Sequence, residues 1–293
     1  MNRVTRTAFT VAAVLTVASV VMGTVVCATE SGAACPNWPG CYPDRFAPEV
    51  ALNPMIEFIH RVVAALTGPA VLVAALLGRR LADPAPRRLA WVALAGAVSA
   101  GVFGMLIVKV GIPWWLGVLD LAGALAACTA MLVARVLLDG TPETGRTPRT
   151  AWAGLGVLAL LHLSALAVAG PNSFTRCISW PLGVLDADRW PALQAGRIGL
   201  AGLAAALIVV AVARAARRGN TVAAGLAAVL LCAELGLAVV LLAGSGAVAA
   251  RTAYAVVAAL LFAAVALLAT RLSVAERPEP ARVPVLQARP TAE

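Results

Sequence analysis

The chain has 293 residues, 61% of them hydrophobic and 13% charged, with a formal net charge of +9 and a mean hydropathy of +0.89. This composition excludes an ordinary soluble domain and predicts an all-α polytopic membrane protein in the lipid bilayer, since apolar runs of about twenty residues recur along most of the length. It also excludes nucleic-acid binding, because no soluble basic face with interleaved aromatics is visible.

In chain order, membrane spans are predicted at residues 8–28, 56–77, 89–108, 114–138, 151–170, 193–212, 222–242 and 252–270. Arg3 and Arg6 ahead of the first run look like the start of a signal peptide, but the run is long and no clean A-x-A site follows, so it is read as a retained span. Asn53-Pro54 predicts a helix cap and first helical residue opening the second span. Eight spans bring both termini to one side. Arg3, Arg6, Arg79, Arg80, Arg87, Arg88, Arg146, Arg149, Arg214, Arg217, Arg218 and Arg271 collect on that side, against Arg45, Lys109, Arg176, Arg189 and Arg251 on the other. The positive-inside rule therefore predicts a multi-pass cell-membrane protein with both termini cytoplasmic.

The two halves of the chain echo each other. Trp38-Pro39 in the first outer loop matches Trp180-Pro181 in the third, and His60-Arg61 matches Gly196-Arg197. The spacing predicts two tandem four-helix repeats in parallel, residues 1–138 and 151–271, joined by a linker at 139–150 rich in glycine and proline. The proline-bearing tail, 272–293, is expected to be disordered and cytoplasmic.

Ionisable residues inside spans are expensive, at roughly 2–4 kcal/mol each near mid-bilayer, and so mark candidate sites. Glu57 and His60 are three residues apart on one helix face. At 1.5 Å per residue His60 lies about 10 Å below the start of its span, Asp120 about the same, and His162 about 12 Å from the outer end of the fifth span. All four groups are thus expected in one layer of the outer leaflet. Glu234 falls near the middle of the seventh span, where it is expected protonated or hydrogen-bonded to a neighbouring helix. Cys35 and Cys41, on the oxidising side, predict a disulfide. Cys128 and Cys232, within spans, read as small apolar residues. No P-loop, dinucleotide fingerprint or zinc spacing is present.

Cys35-Pro-Asn-Trp-Pro-Gly-Cys41 followed by Glu57-x-x-His60-Arg61 resembles the haem A synthase family of cytochrome oxidase assembly proteins, over about residues 8–271. The resemblance implies eight spans in two four-helix repeats and oxidation of a methyl group of haem O to the formyl group of haem A in the N-terminal half. It also implies a haem b in the C-terminal half that passes electrons. His60 would be a ligand to haem iron, Glu57 the carboxylate beside the reacting methyl, and Arg61 and Arg197 cofactor-binding residues. Haem O synthase, cytochrome oxidase assembly factors and a second copy of the chain are candidate partners. The family carries one histidine in each of spans two, four, six and eight. Here the last three positions are Asp120, Gly196 and Tyr254, and Gly183 stands where the C-terminal loop would have its second cysteine after Cys177. Three of four ligand positions are altered, so a conventional haem b site is not expected.

Each candidate has a structural alternative. Glu57 and Arg61, at i and i+4, could form only a buried ion pair, and His60 could be an interior hydrogen-bonded histidine. A carboxylate is a poor replacement for imidazole on iron, so Asp120 reads as a structural or proton-handling group, with cofactor binding through ligation of iron as the alternative. Tyr254 is an interfacial aromatic or a phenolate ligand. His162 is a polar interhelical contact or a relocated ligand. The Cys35–Cys41 pair serves either redox exchange or as a loop staple. Two functions remain: an oxidoreductase of the haem A synthase type, or a non-catalytic paralogue that binds haem or scaffolds oxidase assembly.

Overall fold

A computed structural model describes residues 2–111, 113–142, 148–168, 177, 180–182, 190–244 and 247–276. Eight long helices account for nearly all of them: α1 (Arg3–Ala28), α2 (Leu52–Gly78), α3 (Pro84–Val110), α4 (Trp114–Leu137), α5 (Arg149–Val168), α6 (Pro191–Arg217), α7 (Thr221–Leu242) and α8 (Val248–Leu272). All eight are long and apolar enough to cross a membrane. The eight spans expected from hydropathy are therefore present, as an all-α polytopic membrane protein. Most begin or end a turn beyond the apolar run, because helical hydrogen bonding continues into the polar flanks while hydropathy does not.

Two expectations need correction. Asn53 is not a helix cap: α2 begins at Leu52 with Ala51 as N-cap, so Pro54 is the third helical residue. Proline is tolerated there because the first-turn N–H groups have no intrahelical partner. The second concerns the linker and tail. Gly140–Pro142 (β1) pairs antiparallel with Val274–Glu276 (β2), so the first residues of the tail, expected to be disordered, are held in a strand against the linker. Residues 277–293 lie outside the described residues, as do Arg176, Gly183 and Arg189.

Helix contacts explain how the chain closes up. α1 packs on α2 and α4, and α3 packs on α2 and α4; α5 packs on α6 and α8, and α7 packs on α6 and α8. α1 and α4 also meet α8, and α4 meets α5, so α4 and α8 are the most enclosed spans. The core there is built of small and aliphatic residues, among them Ala130, Met131, Ala134, Ala258, Leu261 and Ala266. At the arginine-rich end, Asp139 accepts from Arg135 and pairs with Arg6 at 3.1 Å, while Arg135 Nε donates to Thr10 Oγ1 at 2.7 Å, fastening the start of α1 to the end of α4. At the same end Arg214 donates to Thr150 Oγ1 and Trp152 Nε1 to Ser273 Oγ.

The far end carries the disulfides. Cys35–Cys41 closes the first loop, as its position beyond the first span implied. A second bridge, Cys27–Cys177, was not foreseen: it joins the end of α1 to the segment after α5, 150 residues away in sequence.

Candidate functional site

The N-terminal part of α2 is organised around Arg61. Its Nε donates to Glu57 Oε1 at 2.9 Å, one turn earlier on the helix. Its two terminal nitrogens reach the disulfide loop, donating to the carbonyls of Cys35 at 2.7 Å, Gly40 at 3.0 Å and Asn37. The planar guanidinium fork suits this task, because five fixed donors can serve a carboxylate and several carbonyls at once. The loop also supports itself, with Asn37 N donating to Cys41 O and Cys41 N to Phe46 O. Glu57 is buried, and its second oxygen makes no hydrogen bond among the described residues.

His60 lies next along the helix and is half-buried. Its Nδ1 is buried without a hydrogen-bond partner in the protein. The imidazole faces α1 at Gly23, where an added Cβ would stand 3.3 Å from His60 Cε1 and 3.7 Å from Nε2. Glycine at 23 thus leaves room for the ring. Asp120, on α4, is also half-buried and makes no hydrogen bond or ion pair among the described residues. Its Oδ1 faces α3 at Gly104. The structure therefore brings Glu57, His60, Arg61, Cys35 and Cys41 together, while Asp120 turns toward a different neighbour. A cleft of 590 Å³ lies at the other end of α1 and α2, lined by Val4, Ala8, Val11, Pro69, Val73 and Leu77, away from these groups.

The C-terminal helices hold a second polar group, and it is sealed. His162 on α5, Gln194 and Arg197 on α6, Glu234 on α7 and Tyr254 on α8 are all buried. Arg197 Nη1 donates to Gln194 Oε1 at 2.8 Å, and the Tyr254 hydroxyl donates to the carbonyl of Trp180 at 3.2 Å. The His162 ring meets Phe262 edge-on, with centroids 5.9 Å apart. Trp180 is 4% exposed, whereas its counterpart Trp38 is 43% exposed, so the matching Trp-Pro pairs have opposite fates. Gly196 faces outward, with nothing within 4 Å of where a Cβ would be.

These residues do not fit a haem b. The Gly196 position is turned away from the helix interior, the Tyr254 hydroxyl is occupied by Trp180, and the space between the helices is taken by Arg197, Tyr254, Phe262 and His162, all among the largest fully buried side chains. Among the described residues no group of three or more histidine, cysteine, aspartate or glutamate side chains is placed to hold a metal ion.

Sequence reasoning overlooked Cys27, Gln194 and the burial of Trp180. For Cys27 a signal existed: four of the six cysteines fall at or beyond the span ends remote from the arginine-rich loops, and an even number there implies pairing. Gln194 and Trp180 carried no comparable signal, because burial at a helix end depends on what packs over it. No protein-family model matches the chain. No curated protein matches it either.

Proposed function

We propose that this protein is a haem A synthase-like membrane oxidoreductase that oxidises a methyl group of haem O to the formyl group of haem A, for cytochrome oxidase assembly, within α1–α4. The observation carrying this reading is the stack at the outer end of α2. A half-buried His60 with an unpartnered Nδ1 sits between Glu57 and Arg61 in the chain, and that pair holds a disulfide-closed loop over the helix. Imidazole is a common haem ligand. In this reading haem O is the substrate, His60 binds its iron, and Arg61 fixes one oxygen of Glu57. The other oxygen stays available to accept a proton or to stabilise positive charge as the methyl loses four electrons to an acceptor in the membrane and water supplies the formyl oxygen. Asp120 handles protons rather than iron.

The architecture proposed with it is a pair of tandem four-helix repeats, residues 1–138 and 151–271. It is supported by the matching order of neighbours, in which each set of four helices closes on itself. Both termini are proposed to be cytoplasmic, from the arginine-rich loops at their end. Haem O synthase, oxidase assembly factors and a second copy of the chain are the protein partners this reading proposes.

A second reading, a non-catalytic paralogue that binds haem or scaffolds oxidase assembly, is favoured by two observations. Arg61 spends its donors on Glu57 and three loop carbonyls, a sufficient structural task, and the C-terminal residues do not fit haem b. Membranes containing this protein as the sole candidate enzyme, supplied with haem O, separate the two. Formation of haem A supports the enzyme; bound haem without haem A supports the paralogue. Under the enzyme reading Glu57→Gln keeps haem but slows haem A formation about 100-fold, the lower end for a lost acid–base group. Unchanged haem content in His60→Ala would reject iron ligation by this residue.

A further inference from the structure

Buried polar atoms are nearly always paired, with protein or with ordered water, because an unpaired one costs about 1–3 kcal/mol. Among the described residues of the C-terminal half, Nδ1 and Nε2 of His162, the two carboxyl oxygens of Glu234 and Nε1 of Trp180, the last in the segment before α6, are buried without a hydrogen bond of ordinary geometry to the protein. His162 and Glu234 are 0% exposed and belong to different helices, α5 and α7. They are joined through a common set of neighbours. The Arg197 charge acts on His162 and on Tyr254, Glu234 acts on Tyr254, the Tyr254 hydroxyl donates to the Trp180 carbonyl, and the Trp180 backbone N–H is drawn toward the Glu234 carboxyl as a donor.

The set contains donors and acceptors in kind, yet apart from the Trp180 backbone at Glu234 and Tyr254 these side-chain atoms form no hydrogen bond of ordinary geometry with one another. Trp180 Nε1 only donates, a carboxylate only accepts, and a neutral imidazole does one of each. A molecule that donates twice and accepts twice satisfies such a set. At about three hydrogen bonds per internal water, about two waters account for all five atoms. A metal cation does not suit the same place, since among the described residues Glu234 is its one carboxylate and Arg197 is a neighbouring positive charge. A planar cofactor is too large for a space already filled by Arg197, Tyr254 and Phe262.

We propose that the C-terminal helices enclose a hydrated polar site, a small cluster of internal water held by Glu234, His162 and Trp180 beside Tyr254 and Arg197. It stands whether or not the N-terminal helices act on haem. Trp180 closes it at the outer end, kept in place by the Tyr254 hydroxyl and by the nearby Cys27–Cys177 bridge.

X-ray hydroxyl-radical footprinting of the full-length protein in lipid nanodiscs tests this, because radiolysis of bound water labels side chains that bulk solvent does not reach. Tyr254 and Trp180 should be labelled several-fold faster than Phe9, an aromatic that is equally buried but surrounded by apolar groups. A bulk radical scavenger should leave that labelling unchanged, and irradiation in oxygen-18 water after long equilibration should put the heavy isotope into it. Replacing both holders, Glu234→Leu with His162→Leu, should bring Tyr254 down toward Phe9. Labelling of Tyr254 and Trp180 no faster than Phe9 in the unaltered protein overturns the proposal, as does labelling that the scavenger abolishes.

Discussion

Arg61 shows how much one side chain can organise in a membrane protein. It neutralises Glu57 and also supplies donors to three carbonyls of the Cys35–Cys41 loop. Replacing it with methionine strands the carboxylate, and breaking a buried ion pair by removing one partner costs about 3–5 kcal/mol. The expected result is a large fall in thermal stability in detergent, with Arg61→Lys recovering only part of it, because an ammonium lacks the planar fork. Gly23 offers a finer probe. A methyl group there would press on His60 Cε1 at 3.3 Å, so Gly23→Ala should turn the ring while leaving the melting temperature nearly unchanged. If His60 ligates iron, haem titration followed by absorbance should show weaker binding in that variant.

Between elements, the closest approach at any glycine among the described residues joins α3 to α4 through Gly96 and Gly123. A Cβ on Gly96 would lie 2.7 Å from Gly123 O and 2.9 Å from Ala127 N, and one on Gly123 would lie 2.8 Å from Gly96 O. Small residues of this kind let helix backbones approach closely in lipid, where packing replaces the hydrophobic drive. Backbone cannot yield as a side chain can, so Gly96→Ala should force the helices apart and cost about 1–3 kcal/mol, the usual penalty for overpacking. Gly101→Ala, on the same helix with nothing within 4 Å, should be neutral or stabilising by up to about 1 kcal/mol. The difference between their melting temperatures checks the contact. Orientation can be probed at this scale as well. A membrane-impermeant thiol reagent applied outside intact cells should reach Arg45→Cys and not Arg79→Cys, both exposed positions at opposite ends of the helices. The reverse pattern would invert the proposed topology.

Across the whole molecule, Cys27–Cys177 ties the first helix to the segment between α5 and α6. A bridge spanning 150 residues constrains the unfolded chain strongly, and losing such a bond typically costs about 2–5 kcal/mol. Cys27→Ser should therefore lower the melting temperature. The bridge also makes a covalent prediction. With a protease site inserted in the linker at 139–150, the cleaved protein should run as one species on a non-reducing gel and as two fragments after reduction. Separation without reductant would show that the bridge does not form. The small sheet of β1 and β2 adds a second, non-covalent tie at the opposite end.

Hydropathy and charge by themselves determined the class, the number of spans and the side on which arginine gathers, because lipid demands continuous apolar helices and each helix satisfies its own backbone. The Cys35–Cys41 pairing and the Glu57–Arg61 contact were also legible, being separated by a few residues within one loop or one helical turn. Contacts made across the fold were not. Cys27 finds Cys177, His60 turns to Gly23 while Asp120 turns to Gly104, and Trp180 is buried where Trp38 is exposed, each through an association of segments remote in sequence. Local periodicity fixes which face of a helix a residue occupies. Only packing decides which neighbour that face meets, and so whether a buried polar group is paired with protein, or with something else.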